Sequence, residues 1–417
     1  MPSNFNAKST QANILWAILS QTIEKAAGYL ILAVLTRTLL KIELGEFFFA
    51  LSIAELAAVF LNFGTDTYLI RKVATDPDNG LEYLSRVLSM RFVNMGIGYG
   101  LLNLFTWILK PELLNIMLLV AAYDFLEEVY YSISAFLTGS KQLIYRLFIL
   151  GGFKILTFIG ISLVAYTSRA LIPVLWTYVL LNLILVIAAI TLVRTYFGTL
   201  QFQFDIKKNR DLMRLSVPFF LFNLLTVLHM RFDTTLVGIM LGFQQVANYE
   251  LGIKMMEVAR FIVRPLYSVY FPAFSEYVAD GRQEKLRIRF GQLLILSGGA
   301  GMVLAAGMWV FGTYLVYWLF GPNYEQSILP ARILFLSVPF LFIGFVSSIA
   351  ATALHLEHKM VRILSLSVAI NLGLNVFVIP TYGIIGAAWV TVISQIIWAG
   401  GMLVLAIPVL FKPKLNA

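Results

Sequence analysis

The chain has 417 residues, 59% of them hydrophobic and only 13% charged, and its mean hydropathy of +0.83 is far above that of a soluble domain of this length. The formal net charge is +9 and there is no cysteine, which excludes disulfides, thiolate catalysis and Cys-ligated metals. Apolar stretches long enough to cross about 30 Å of hydrocarbon recur from end to end. They predict an all-α polytopic membrane protein of about twelve transmembrane helices. The expected spans lie near 13–37, 44–70, 87–109, 112–138, 145–167, 170–194, 215–242, 245–273, 290–319, 328–354, 362–380 and 384–410. No room is left for a soluble domain.

In chain order, the N-terminus lacks the short apolar core and small-residue cleavage site of a removable signal peptide, so the first span is expected to act as its own insertion signal. Its middle carries adjacent Glu24 and Lys25, which cannot both face lipid cheaply and are assigned to a polar cavity. The second span holds Glu55, and the fourth crowds Asp124, Glu127 and Glu128 onto one turn. A carboxyl in the membrane interior that takes up a proton or sodium would couple transport to an ion gradient. The alternative is charge balance for Arg91, Lys154 or Arg146.

The seventh span contains Arg231 and Asp233, which point in different directions on a helix and therefore call for a cavity or cross-helix role. The eighth carries a row, Glu250, Lys254, Glu257, Arg260 and Arg264, spaced by three and four residues along one face. Each such charge costs roughly 2.5–3.5 kcal/mol at bilayer depth, so the row should line a polar cavity or meet partner charges. Lys254, Glu257 and Arg260 are placed nearest the cavity centre, with Glu250 and Arg264 toward the rims. The competing reading pairs Glu250 with Lys254 and Glu257 with Arg260 merely to hold the helices together, and lets Arg264 snorkel. Arg332 in the tenth span is the last intramembrane charge, and the sixth, ninth, eleventh and twelfth spans have none away from their ends.

Alternate loops hold most of the Lys and Arg, including Arg71, Lys72, Arg86, Lys207, Lys208, Arg210, Arg282, Lys285, Lys359 and Arg362. The intervening loops are nearly bare. This positive-inside pattern, with Lys8 at one end and Lys412 and Lys414 at the other, puts both termini in the cytoplasm of a multi-pass plasma (inner) membrane protein. Topology and contact with anionic lipid account for the net charge without any nucleic-acid partner.

Other motifs are weak. Gly139-Ser140-Lys141 lacks the upstream glycine of a phosphate-binding loop, so no nucleotide cofactor is expected. His355 and His358 read as surface residues with no further ligands for a metal. Gly96, Gly98 and Gly100, and the cluster Gly298 to Gly301, suit close helix packing. Pro218, Pro265, Pro272 and Pro339 are expected to kink their helices.

Residues 45–55 can be laid on 247–257, with Phe47 over Tyr249 and Glu55 over Glu257. The alignment divides the chain into an N-terminal six-helix lobe, 1–197, a cytoplasmic linker, 198–213, and a C-terminal six-helix lobe, 214–417. Two lobes related by a parallel repeat would surround a central cavity.

The run Leu44-Gly45-Glu46-Phe47 with Asn62-Phe63-Gly64 and Arg71 resembles the start of polysaccharide flippases of the O-antigen type. These belong to the multidrug, oligosaccharidyl-lipid and polysaccharide exporter superfamily. The second half is similar from Val217-Pro218 through Arg231, Asp233, Leu241-Gly242, Asn248-Tyr249, Lys254 and Glu257 to Pro272-Ala273-Phe274-Ser275. Asn371, Asn375, Pro380, Gly383 and Gly386-Ala387-Ala388 extend the resemblance toward the end. It implies a non-enzymatic alternating-access transporter that moves an oligosaccharide on a polyprenyl pyrophosphate from the cytoplasmic to the outer leaflet, for O-antigen, capsule or exopolysaccharide assembly. Such a cargo needs cations at mid-membrane, for which Lys25, Arg231, Lys254 and Arg260 are suited. Gln21, Asn94 and Tyr131 offer hydrogen bonds to sugar. Membrane lipids, and a glycan polymerase and glycosyltransferases, are the implied partners. A cation-coupled drug exporter of the same superfamily is the second reading and would want a chiefly acidic cavity. A membrane glycan polymerase is third and would want a large outer loop, which this chain lacks.

Overall fold

The computed structural model describes residues 7–201 and 206–411. Lys412, Lys414 and residues 202–205 of the expected linker lie outside the described residues, as do the side chains of Lys8, Lys207 and Lys208. Among the described residues there is no β-strand.

The helices are α1 (Ala7–Thr38), α2 (Lys41–Asn62), α3 (Thr65–Thr75), α4 (Gly80–Leu109), α5 (Leu114–Gly139), α6 (Leu143–Arg146), α7 (Gly152–Ser168) and α8 (Leu171–Tyr196). They continue with α9 (Ile206–Leu241), α10 (Phe243–Val263), α11 (Pro265–Ala279), α12 (Gln283–Leu319), α13 (Ile328–Phe335), α14 (Val338–Ala353) and α15 (Glu357–Phe411). Seven of these elements, or eight with the bent α13–α14 pair taken as one, are long and apolar enough to cross a membrane. All twelve expected spans fall on helix. Helix α15, with 55 residues, contains the last two, and its continuity breaks at Gly383, whose φ of 61° and ψ of −149° are not helical.

Three expected spans are divided. The span near 44–70 is α2 and α3, parted by Phe63 and Gly64, both left-handed with φ of 53° and 69°. Asn62 holds this turn by accepting the Gly64 N–H at 3.0 Å, and a side chain on Gly64 would come within 2.6 Å of the Phe220 main-chain nitrogen. The span near 245–273 is α10 and α11, divided at Arg264 ahead of Pro265, which is tolerated at a first helical turn but not inside a helix. Helices α13 and α14 bend by 40° ahead of Pro339. By contrast, Pro218 and Pro272 lie inside α9 and α11.

The chain forms two compact units, Met1–Val227 and Leu228–Ala417, with the division inside α9. In the first, α5 packs against α2, α3, α4 and α8, around Leu69, Leu84, Val129, Ile133 and Leu137. In the second, α14 packs against α10, α11, α12 and α15. Lipid tails are as apolar as leucine, so helix association in a bilayer depends on close approach and polar contacts more than on burial from water. Close approach is visible at Gly98, where a Cβ would meet Leu61 at 2.2 Å, and at Gly301, where it would meet the Pro339 Cα at 2.6 Å. Glu43 is a polar example, accepting the Leu40 N–H at the start of α2 and the Leu171 N–H at the start of α8.

Candidate functional site

In the first unit the intramembrane charges converge on α5. Arg91 of α4 is 1% exposed, and its guanidinium meets Asp66 at 3.0 Å, the Thr65 hydroxyl at 3.2 Å and the Glu128 carboxylate at 3.4 Å. It also donates to the Glu128 carbonyl. Ser132 donates to Asp66 at 3.2 Å, and Asn62 donates to Glu128 at 3.1 Å. The adjacent Glu127, on another face of the helix, accepts from Lys154 at 3.0 Å and from Tyr123 at 2.7 Å. Two of the three α5 carboxylates thus have a basic partner. Asp124 differs, accepting a hydrogen bond from the phenol of Tyr99.

A cavity of about 250 Å³ opens beside this network, lined by Glu55, Asn62, Asp124, Glu128 and Tyr131 and by Asn223 and Thr226 of α9. Tyr131 also donates to Glu24 at 3.3 Å, bringing α1 to the same region, while Lys25 is exposed. Three carboxylates and several neutral hydrogen-bonding groups make this lining suited to a cation. Asn94 points elsewhere, to the Leu61 carbonyl at 3.4 Å.

In the second unit the charged row of α10 meets α9. Glu250, 1% exposed, accepts from Arg231 at 2.8 Å and Thr234 at 2.7 Å, and pairs with Lys254 at 3.4 Å. Lys254 also reaches Glu257 at 3.3 Å. Glu250 is therefore the centre of this ion-pair network. Arg260 lies one turn further on, and its buried Nε has no hydrogen-bond partner among the described residues. Arg264 is exposed at the α10–α11 break.

Asp233 faces a different set of partners from Arg231. Tyr249 donates to it at 2.6 Å, the Thr234 main-chain N–H at 2.8 Å and Thr391 of α15 at 3.5 Å. A ladder of neutral polar side chains continues along α15, with Asn375 donating to Asn371 at 3.2 Å, Asn371 to Ser394 at 3.3 Å, and Gln395 against His229 at 3.0 Å. In a bilayer such bonds between helices are a main source of specificity. Among the described residues no group of three or more His, Asp or Glu is arranged to hold a metal ion.

Sequence reasoning named Arg91 only as a counter-charge and did not name Tyr99, Tyr123, Thr234 or Thr391. The signal for Arg91 was present: it is a lone cation in the span 87–109, and an intramembrane charge always implies a partner.

The family model for polysaccharide biosynthesis proteins matches residues 11–278. An uncharacterized membrane protein of Methanocaldococcus jannaschii is 22% identical over 411 residues, covering 92% of this chain and 81% of that one. An inward-facing multidrug resistance MATE family transporter of the MOP superfamily has a similar fold, with a TM-score of 0.71 at 14% identity, covering 94% of this chain and 98% of that one. The lipid II flippase MurJ in an inward closed conformation gives 0.70 at 13% identity, covering 96% and 88%. Apolar helices, a family match over more than half of the length and a shared fold lead to one assignment: the chain is a multi-pass membrane protein of the polysaccharide biosynthesis protein family, with the fold of the MOP superfamily.

Proposed function

We propose that this protein is a flippase that carries a polyprenyl-pyrophosphate-linked oligosaccharide from the cytoplasmic to the outer leaflet by alternating access. The observation that carries this reading is the row of cations Arg231, Lys254 and Arg260 held at membrane depth on α9 and α10, with Arg260 Nε unpartnered among the described residues. Pyrophosphate is the anion that a polysaccharide-assembly cargo brings to that depth, and guanidinium groups bind its oxygens bidentately. Membership of the polysaccharide biosynthesis family and a fold shared with a lipid II flippase support the same cargo class. Each unit contains a long helix followed at once by a shorter one, α2 with α3 and α10 with α11, which supports two six-span lobes related by a parallel repeat. Glu24, Lys25, Asp233 and Glu257 complete the proposed binding set, both termini are cytoplasmic, and the membrane is the inner one. Glycosyltransferases that build the cargo and a polymerase that consumes it are the partners this role requires.

The test is export in cells lacking the chromosomal copy and supplied with the protein or its variants. The double substitution Lys254→Ala, Arg260→Ala should abolish surface polysaccharide and leave lipid-linked precursor on the cytoplasmic side. Intact export by a stably inserted double variant overturns the reading.

The acidic cavity of the first unit favours a second reading, a cation-coupled exporter of cationic small molecules. It also fits the flippase if Asp124, Glu127 or Glu128 takes the coupling ion, with Asp124 the preferred site because its partner is a phenol and not a base. Export in vesicles that ignores both pH and sodium gradients would remove ion coupling from either scheme.

A further inference from the structure

Arg332 of α13 takes no part in the networks above. It is partly exposed, and its recorded partners are neutral: the Thr313 hydroxyl at 3.2 Å and the Trp309 ring at 5.8 Å from its guanidinium carbon. The side chain lies against α12 at Gly312, where a Cβ would be in ordinary contact with it at 3.5 Å. A guanidinium is a permanent cation, so a membrane-facing one with no acidic partner among the described residues calls for an anion.

Directly below it the protein surface is hollow. A groove of about 440 Å³ is lined by Met302, Ala306, Trp309 and Val310 of α12 and by Leu336 and Pro339 at the α13–α14 bend. The groove lies where α14, held tightly on α12 at Gly301, gives way to α13 through the 40° bend. Met302, Trp309 and Val310 are 61%, 49% and 62% exposed, so this face meets the bilayer. Trp309, Tyr314 and Trp318 mark the approach to the membrane interface, where aromatic side chains concentrate. From Thr313 to the end of α12 at Leu319 is about 9 Å at helical rise, which is headgroup depth, and the groove runs a further ~10 Å toward Met302. A cation near headgroup depth above an apolar groove that takes the upper part of an acyl chain, about 10 Å of it, matches one class of ligand.

We propose that this groove binds an anionic phospholipid of the bilayer, with its phosphate on Arg332 and one acyl chain lying along α12 from Trp309 to Met302. The site goes beyond the cargo reading and holds whatever the cargo is. A bound lipid here would steady the α13–α14 bend from the outside.

The test uses the full chain in nanodiscs containing trace phosphatidylglycerol or phosphatidylcholine with a photoreactive acyl chain, and maps adducts by mass spectrometry. The wild type should label within 302–310, with roughly tenfold preference for phosphatidylglycerol, the scale of a charge-assisted hydrogen bond. Arg332→Gln should reduce that labelling to the phosphatidylcholine level and Arg332→Lys should retain a preference. Ala306→Phe, which fills the groove from its lipid side, should reduce labelling by both lipids. Equal labelling by the two lipids, an undiminished preference in Arg332→Gln, or adducts spread evenly over other exposed faces such as Ile295 and Leu296 would overturn the proposal. So would displacement of phosphatidylglycerol by an equimolar polyprenyl phosphate, which would give the groove to the cargo. Because the chain has no cysteine, Ala306→Cys reports a further occupant: a disulfide dimer formed in native membranes would assign the groove to a second copy and also overturn the proposal.

Discussion

Replacing Arg91 with methionine keeps most of the side-chain volume and removes the charge that α3 and α5 share. In the structure this guanidinium serves Asp66 at 3.0 Å, Thr65 at 3.2 Å, the Glu128 carboxylate at 3.4 Å and the Glu128 carbonyl. Without it, two carboxylates are left in one low-dielectric site, with side-chain exposures of only 29% for Asp66 and 15% for Glu128. Removing one partner of a buried ion pair costs about 3–5 kcal/mol, and the upper part of that range is expected because the lost cation neutralises two acids. Arg91→Lys should cost less, about 1–2 kcal/mol, since it restores the charge but cannot reach four acceptors from one ammonium. Adding Glu128→Gln to Arg91→Met should recover about 1–2 kcal/mol, because Asn62 can still donate to the amide oxygen while the repulsion with Asp66 disappears. The assay is thermal or denaturant unfolding of the purified protein in one detergent, followed by loss of the monodisperse chromatographic peak. An Arg91→Met protein within about 0.5 kcal/mol of wild type, or one made worse by Glu128→Gln, would refute the placement of this residue at the centre of the network.

Three further outcomes are expected. Tyr249→Phe removes the shortest bond to buried Asp233 and should destabilise by about 1–3 kcal/mol in the same assay, while Thr391→Val, which removes only a 3.5 Å contact, should do less. Gly98→Ala and Gly301→Ala both overpack a helix crossing, within a range of about 1–3 kcal/mol, but the first displaces a leucine side chain and the second a proline main chain. Gly301→Ala should therefore melt lower. In the loop before α4, the Asn79 amide and then the Tyr83 phenol hold the Asp76 carboxyl below its usual range, so their bonds are complete at neutral pH and fail only as pH falls through that depressed value. Hydrogen exchange across 76–83 should accordingly stay protected until pH falls below the ordinary carboxylate range, then rise, and Asn79→Ala should move the rise to higher pH.

The spans were readable because run length and hydropathy report the one constraint a bilayer enforces, satisfaction of the backbone inside a helix. The breaks were less readable. Pro265 announces the end of α10, and the structure divides there, yet Pro218 and Pro272 sit within continuous helices, so proline alone does not decide. Beside the left-handed Phe63, Gly64 meets the Phe220 backbone of a helix more than 150 residues along the chain, an approach that no local pattern contains. The charged positions show the same split. Spacing placed Glu250, Lys254 and Glu257 on one face, and Lys254 does bridge the two acids. That Glu250 is the hub follows from Arg231 and Thr234 on α9, and that Asp233 is capped by Thr391 follows from a contact across 158 residues. Periodicity reports which residues share a face, and only packing reports what that face meets.

The lengths within the α10 network separate its cations by role. Arg231 holds Glu250 at 2.8 Å as a hydrogen-bonded pair, in a site where Thr234 takes the other carboxylate oxygen at 2.7 Å. Lys254 donates to Glu257 at 3.3 Å and stands 3.4 Å from Glu250, both longer than the Arg231 pair. If a pyrophosphate draws Lys254 away, Glu250 still keeps Arg231 and Thr234, so the buried acid is not stranded and the exchange is cheap. Drawing Arg231 away would instead break the shorter bond and leave Glu250 to Lys254 alone among its cations. On the proposed cargo reading, Lys254 and Arg260 are therefore the groups that exchange partners during transport, while Arg231 holds α9 to α10. Arg231→Gln should lower the unfolding midpoint, whereas Lys254→Gln should leave the midpoint nearly unchanged and reduce export. The reverse pattern would place the cargo on α9 and make the charged row of α10 a structural brace.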